Sequence, residues 1–134
     1  MIIDASVAAH WFADTEFSAS ASPYRKLDDL IGPGLLLLET ANVFYKQSRA
    51  GNIQPDLCVH GISDLSMLLA EIIPDQQLLP HAIRLALEWQ HPVCDCLYIA
   101  LALERREPIA TADRKLALLA EKTGIGAELI KADI

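Results

Sequence analysis

Four acidic residues stand where short apolar segments meet segments with helical character. Asp4 ends the segment MIID, Glu39 follows four leucines, Asp95 lies near the start of VCDCLYIALA, and Asp113 comes shortly after PIAT. Acidic side chains are almost never fully buried unless something pairs with them. The acid at the head of VCDCLYIALA is therefore either exposed in the first turn of a helix or matched by a partner from elsewhere in the chain.

Carboxylates that converge without a cationic partner repel one another, and a bound divalent cation removes that conflict. Carboxylate and water oxygens are the ligands that Mg²⁺ and Mn²⁺ prefer in proteins. A metal held in this way polarises a phosphoryl oxygen and turns a water molecule into a nucleophile. If the four acids meet in space, hydrolysis of a phosphodiester bond is the chemistry they serve best.

Short strands that alternate with helices would bring the acids together. The pattern predicts strands at MIID, EIIPD, PIAT and AELIK and helices between them. Gly32 would end the helix SASASPYRKLDDLIG and Gly124 the helix ADRKLALLAEKTG, while Pro55 lies in the first turn of IQPDLCVHGISDLSMLLA and Pro92 opens PVCDCLYIALALERRE. We therefore predict one α/β domain over residues 1–134, built around a mostly parallel sheet. Ligands of such folds gather outside the carboxyl ends of the strands, where these acids are expected.

Two helical faces are consistent with a shared cleft. At about 100° per residue, Lys46 and Arg49 share a face with Glu39, which we expect at the start of its helix. Asp95, in the first turn of its own helix, shares a face with Tyr98. Both acids can therefore point into a cleft rather than into the apolar core.

Composition restricts the class of protein. The chain has 134 residues, 52% of them hydrophobic and 22% charged, which is typical of one globular domain. A net charge of −7 argues against a general nucleic-acid coat protein. Three cysteines without an export signal indicate a reducing compartment, and we expect a cytoplasmic protein. No apolar run approaches the roughly 20 residues of a membrane span, so no membrane association is expected.

The segments IIDASV, LLLLETANV, HPVCDCLYIALA and IATADRKLA resemble, in order, the four acidic motifs of the PIN-domain family, and most of all those of its VapC-type toxins. The resemblance implies a PIN-like three-layer sandwich, with a mostly parallel central sheet flanked by helices. It also implies an endoribonuclease that requires Mg²⁺ or Mn²⁺ and cleaves single-stranded or loop RNA. The enzyme would be a homodimer and the toxin of a type II toxin–antitoxin pair, inhibited by a small cognate antitoxin.

The same resemblance assigns roles to individual residues. Asp4, Glu39, Asp95 and Asp113 take the catalytic and metal-binding positions, and Ser6 and Thr111 support them. The expectation for the basic residues comes from the helical faces instead: because several of them share faces with the site acids, we expect Lys46, Arg49 and Arg114 to contact RNA phosphates rather than to be ordinary solvated charges.

The tryptophans and cysteines are expected to have structural rather than catalytic roles. Trp11 and Trp89 are expected in the core or in an interface rather than as stacking surfaces for bases. The four histidines are given no role, because none of them has a metal-ligand spacing such as H-x-x-x-H. Cys94 and Cys96 flank the third acid, where the family commonly has an aromatic before it and a small residue after it. They point too far apart for an easy disulfide, so we expect both to pack as small apolar residues.

Three alternatives compete with the nuclease. Each acid could be a helix cap or a favourable first-turn charge. A phosphoacceptor signalling domain would need an acidic pair after the first strand, yet Ala5 and Ser6 follow Asp4, and only Asp75 could serve as the acceptor. A catalytically silent PIN scaffold would bind RNA or protein without cleaving it. The sequence leaves open which RNA is cut, how many metal ions act and which antitoxin binds.

Overall fold

Five short strands form one sheet in the order β3–β2–β1–β4–β5, and all neighbouring strands run parallel. The structure, a computed structural model, describes residues 1–133. The strands are β1 (Ile2–Ile3), β2 (Ile31–Pro33), β3 (Glu71–Ile73), β4 (Ile109–Thr111) and β5 (Ala127–Leu129). The predicted α/β class with a parallel central sheet is confirmed.

Helices connect and flank the strands. Within residues 1–133 they are α1 (Ala5–Ala8), α2 (Ser18–Ala21), α3 (Leu35–Arg49), α4 (Pro55–Leu68), α5 (Asp75–Trp89), α6 (Val93–Arg105) and α7 (Arg114–Lys122), with 3₁₀ turns at Ala9–Trp11 and Ser22–Lys26. Several ends follow the predicted signals: Pro92 immediately precedes α6, and Gly124 takes a positive φ just beyond α7. None of these helices is long and apolar enough to cross a membrane.

The core lies on both faces of the sheet and around α6. Ile2, Ile3 and Ile109 have no exposed surface, as expected for strands of a parallel sheet covered by helices. In α6 every side chain from Cys96 to Ala102 is buried, so that helix is packed on all sides. Asp95, one residue before this buried run, is therefore held at the edge of a rigid element.

The sequence interpretation is wrong between residues 18 and 33. The predicted single helix is replaced by α2 and a 3₁₀ turn, and Gly32 lies inside β2 rather than ending a helix. Glycine is required there because α3 packs closely against the strand. A Cβ atom on Gly32 would stand 2.6 Å from Cδ2 of Leu36, which is fully buried.

Helix α3 begins earlier than expected. Because the leucines belong to the helix, Glu39 is its fifth residue and lies outside the first turn. The N-terminus of α3 is capped from another element, since the backbone N–H of Leu35 donates to Oδ1 of Asp75 at 3.0 Å. Asp75, the candidate phosphoacceptor, thus has a structural role in joining α3 to the start of α5.

Candidate active site

Four elements surround a cleft of about 220 Å³ beside the carboxyl ends of β1 and β4. Asp4 directly follows β1, and Asp113 comes two residues after β4. Glu39 is contributed by α3 and Asp95 by the first turn of α6. The structure therefore brings all four sequence-predicted acids to one cleft, whose remaining lining residues are Ala5, Ser6, Asn42, Val43 and Tyr98.

Asp4 is buried and fixed by hydroxyl groups. Oδ1 accepts hydrogen bonds from the backbone N–H and the hydroxyl of Ser6, and Oδ2 accepts one from the hydroxyl of Thr111 at 2.6 Å. Burial nevertheless raises the pKa of Asp4 from 3.8 to about 6, because it outweighs these hydrogen bonds, and the charges of Glu39 and Asp113 add to the rise. Ionising Asp4 therefore costs more free energy in the folded protein than in water.

Ser6 and Thr111, the two predicted supporting residues, tie the ends of β1 and β4 together. The backbone N–H of Ala112 donates to the Ser6 hydroxyl at 2.7 Å, and that of Asp113 donates to the Thr111 hydroxyl at 3.0 Å. The two hydroxyl oxygens are 3.2 Å apart. Small hydroxyl side chains at these positions therefore link the first acid to the fourth.

Glu39 is held by a residue to which the sequence gave no role. The phenol of Tyr98, almost completely buried, donates to Oε1 of Glu39 at 2.7 Å. Burial raises the pKa of Glu39, the bond from Tyr98 opposes that rise, and the charge of Asp95 adds to it. Burial and the charge of Glu39 in turn keep the pKa of Tyr98 well above its ordinary value, so the phenol remains a donor. The only sequence signal was that Tyr98 shares a helical face with Asp95.

Asp95 also has a partner that the sequence interpretation missed. Nε2 of His91 lies 2.8 Å from Oδ2 of Asp95, and both side chains are mostly buried. His91 precedes α6 and stands four residues before the acid. The i, i+4 spacing of His91 and Asp95 is the one signal of this pair in the sequence, and it differs from a metal-ligand pair of two histidines.

Asp113 is a helix cap and a cleft residue at once. Its Oδ1 accepts hydrogen bonds from the backbone N–H groups of Lys115, at 2.9 Å, and Leu116, at 3.4 Å. Asp4 likewise caps α1 through Ser6. The alternative that these two acids are helix caps is therefore correct, and it is compatible with their position in the cleft.

The basic residues predicted to contact RNA lie outside the cleft lining. Lys46 and Arg49 are exposed in the last turn of α3, where the guanidinium of Arg49 lies over the Tyr45 ring. Arg114 is exposed at the start of α7, next to Asp113. Among residues 1–133, no lysine or arginine lines the cleft, so its four acids have no cationic side chain among them.

Trp11 packs against the core as expected, whereas Trp89 is 36% exposed and lies outside the core, so an interface position stays a prediction for Trp89. Cys96 is buried as expected, but the prediction that Cys94 packs as a small apolar residue is wrong, since Cys94 is exposed. All three cysteines are free thiols.

The donor chemistry of the cleft fits a hard divalent cation. The polar side chains of the lining offer carboxylate, hydroxyl and amide oxygens, which are the ligands that such cations prefer. The amide of Asn42 contributes the one side-chain nitrogen of this lining. In the arrangement described for residues 1–133, no three His, Cys, Asp or Glu side chains are grouped closely enough to hold a metal ion. Oxygens of Glu39 and Asp95 are directed instead at Tyr98 and His91. Each of these bonds engages one of the two carboxylate oxygens, and the acids would have to move closer together for several of them to bind one cation.

Comparisons with known proteins agree with this architecture. The model of the family described as the PIN domain matches residues 1–122. No curated protein matches the sequence. Eight chains of solved structures match, among them the crystal structure of PAE2754 from Pyrobaculum aerophilum, with a TM-score of 0.68 and 20% identity over 96% of this chain and 82% of that chain. At that level of identity the likeness shows the fold alone.

Proposed function

Because the chain belongs to the PIN domain family, whose members are generally nucleases, we propose that it is an endoribonuclease that requires Mg²⁺ or Mn²⁺. The observation that carries the proposal is the cleft at the carboxyl ends of β1 and β4. Four carboxylates from four elements line it, and no lysine or arginine of residues 1–133 does. Folding would normally avoid such a concentration of like charge, so its presence favours a site that holds a cation.

We assign the cation to Asp4, Glu39, Asp95 and Asp113. When bound, it would polarise a phosphoryl oxygen and lower the pKa of a water molecule. The protein's part is to hold the carboxylates in place. Hydroxyls from β4 and α1 fix Asp4, the buried phenol of Tyr98 orients Glu39, and partners of this kind typically change metal affinity 10–100-fold when they are removed.

RNA contacts are proposed for three exposed basic residues. Lys46 and Arg49 continue along the helix that contributes Glu39, and Arg114 adjoins Asp113. From these places they would bind phosphates on either side of the cleft and position the strand without reading its sequence.

We further propose that the nuclease is the toxin of a type II toxin–antitoxin pair and acts in the cytoplasm. The likeness of its four motifs to VapC-type toxins supports the first point, and three free cysteines fit a reducing compartment. Co-expression of a small open reading frame adjacent to the gene should relieve growth arrest caused by this protein. A protein that is harmless in every host, and that binds no product of a neighbouring gene, would contradict the toxin role.

A homodimer is also proposed. Leu79, Ile83 and Leu87 follow one another at intervals of four residues on α5 and are 42%, 45% and 75% exposed. Such a stripe of large apolar side chains favours contact with a second copy. Light scattering should give twice the mass of one chain for the wild type and a smaller mass for Ile83→Glu. A wild-type mass of one chain at all concentrations would contradict the dimer.

A cleavage assay tests the nuclease. Purified protein should cleave single-stranded RNA with Mg²⁺ or Mn²⁺, and a chelator should abolish cleavage. Asp95→Asn should lower the rate roughly a hundredfold or more, because it removes a proposed ligand without changing shape. Asp64→Asn, which makes the same charge change on the exposed face of α4, is the matched control and should remain active. RNA binding without any cleavage would instead support the silent scaffold.

A further inference from the structure

A second pocket, of about 230 Å³, lies beside the active-site cleft and differs from it in charge. We call it the basic pocket. Its lining residues are Trp89, His91, Lys115, Leu118, Leu119 and Lys122. It contains two lysines, one histidine and one indole, and no acidic residue of the described chain lines it.

The basic pocket and the cleft are joined by two hydrogen bonds. His91 lines the pocket, and its ring meets Asp95, which lines the cleft. Lys115 lines the pocket, and its backbone N–H donates to Asp113, which also lines the cleft. Two of the four site acids therefore have a hydrogen-bond partner that lines the pocket, which places the pocket next to the cleft.

The two lysines are available for a ligand. Neither Lys115 nor Lys122 forms an ion pair with a carboxylate of residues 1–133. Lys115, Leu118, Leu119 and Lys122 occupy positions i, i+3, i+4 and i+7 of α7, so they share one helical face. A face that carries two cations and no acid of the pocket lining suits an anionic partner.

Trp89 gives the pocket a flat aromatic surface. It is the last residue of α5, is partly exposed and is absent from the core. An indole beside lysines is the combination that sequence-independent binders of single strands use, with stacking for the base and positive charge for the backbone. Because two lysines line the pocket, an anionic nucleotide is a better occupant than an apolar protein segment.

We propose that the basic pocket binds one nucleotide of a single-stranded RNA, next to the phosphodiester bond that is cleaved. The indole of Trp89 stacks on the base, while Lys115 and Lys122 bind the adjoining phosphates. The inference rests on the proposed function, because it takes RNA as the substrate. It adds a subsite that positions the strand relative to the four acids.

Tryptophan fluorescence tests the stacking directly, since the chain has only two tryptophans. Binding is measured in an Asp4→Asn background, which prevents cleavage and keeps the pair of Asp95 with His91. The probe is a short single-stranded RNA of mixed sequence, with Mg²⁺ present. RNA should quench the emission of the Trp11→Phe variant, whose remaining indole is Trp89. It should leave the Trp89→Phe variant, which retains Trp11, unquenched.

Affinity provides the second readout. Trp89→Ala should raise the Kd for the probe roughly 5-fold to 150-fold, the range that corresponds to about 1–3 kcal/mol for base stacking, and Trp89→Phe should raise it less. The double variant Lys115→Gln and Lys122→Gln should reduce the slope of log K against log salt by about 1.4, since each phosphate contact contributes about 0.7 for single strands. Lys26→Gln with Lys131→Gln, equal in charge and outside the pocket, should leave the slope unchanged.

Unchanged Trp89 emission together with an unchanged Kd for Trp89→Ala would overturn the subsite. So would a change of oligomeric state without a change of RNA affinity, which would make the pocket a contact between copies of the chain. Cleavage of the same RNA by the wild type, measured in parallel, separates the two proposals. If the wild type cleaves the RNA while the pocket variants bind it normally, only the subsite is contradicted. If the wild type neither binds nor cleaves the RNA, the nuclease and the subsite are both contradicted.

Discussion

Asp4 combines a structural and a chemical role within one side chain. Its carboxylate accepts three hydrogen bonds, yet its pKa is raised to about 6 because burial dominates. In the unfolded chain the same group titrates near 3.8. Between these two pH values the folded protein binds more protons than the unfolded chain. The free energy of unfolding therefore falls as the pH rises from about 4 to about 6, and the full loss is present at higher pH.

Asp4→Asn should remove this cost while keeping the shape of the side chain. In the presence of a chelator, the variant should be more stable than the wild type at about pH 8, by at most roughly 3 kcal/mol, and the difference should shrink as the pH falls towards about 4. Urea denaturation across this pH range provides the measurement, with exposed Asp64→Asn as the control of equal charge change. A variant that is less stable than the wild type at about pH 8 would show that the hydrogen bonds of Asp4 outweigh its burial.

At the residue scale, the sequence predicted that the four acids would share a cleft but not which side chains hold them. Asp4, Asp95 and Asp113 could be located from their own surroundings, because a strand end or a helix start is a local feature. Tyr98 and Glu39 are 59 positions apart, and their hydrogen bond exists only because α6 and α3 border the same cleft. No role was predicted for His91, because its partner is a carboxylate rather than a second histidine at metal-ligand spacing.

At the scale of elements, the passage from β2 to α3 positions Glu39. The strand ends at Pro33 and the helix begins at Leu35, so only one residue separates them. Such a short connection brings the first turn of α3 against the strand, and the side chain of Leu36 folds back over Gly32. A glycine in the strand is what allows this approach.

Gly32→Ala should therefore destabilise the protein. The new methyl group would meet Leu36, which has no exposed surface into which to move, and overpacking of this kind costs about 1–3 kcal/mol. Gly34→Ala is the matched control, since its nearest neighbour would be an oxygen of Asp75 at 3.5 Å, an ordinary contact. Thermal denaturation of the two variants tests this. Equal melting temperatures would mean that α3 shifts freely against β2.

Proline and glycine explain which elements the sequence predicted well. Pro55 and Pro92 mark the starts of α4 and α6, Gly124 follows α7, and the apolar strands β1 and β4 stand between such signals. In β2 the same two residue types lie inside the strand, so the pattern resembled a helix end. Glu39 was misplaced for a related reason, because four leucines fit a strand as well as a helix.

At the scale of the whole molecule, the parallel sheet is what gathers distant acids. Asp4 and Asp113 are 109 positions apart, yet they follow β1 and β4, which are neighbours in the sheet. The parallel arrangement places both strand ends at the same edge, and α3 and α6 bring the other two acids to it. The four acids meet because of the order of the strands, which the local sequence pattern does not reveal.

Metal binding without substrate tests most directly whether the four acids form a cation site. Mg²⁺ or Mn²⁺ at a hundredfold excess over its Kd should stabilise the wild type by about 2.7 kcal/mol. Asp64→Asn should gain as much, and Asp95→Asn should gain little, because only the latter loses a proposed ligand. Thermal melts of the three proteins with and without metal provide the measurement. Equal gains in all three proteins, or a wild type indifferent to both metals, would contradict the assignment of the cleft as a metal site.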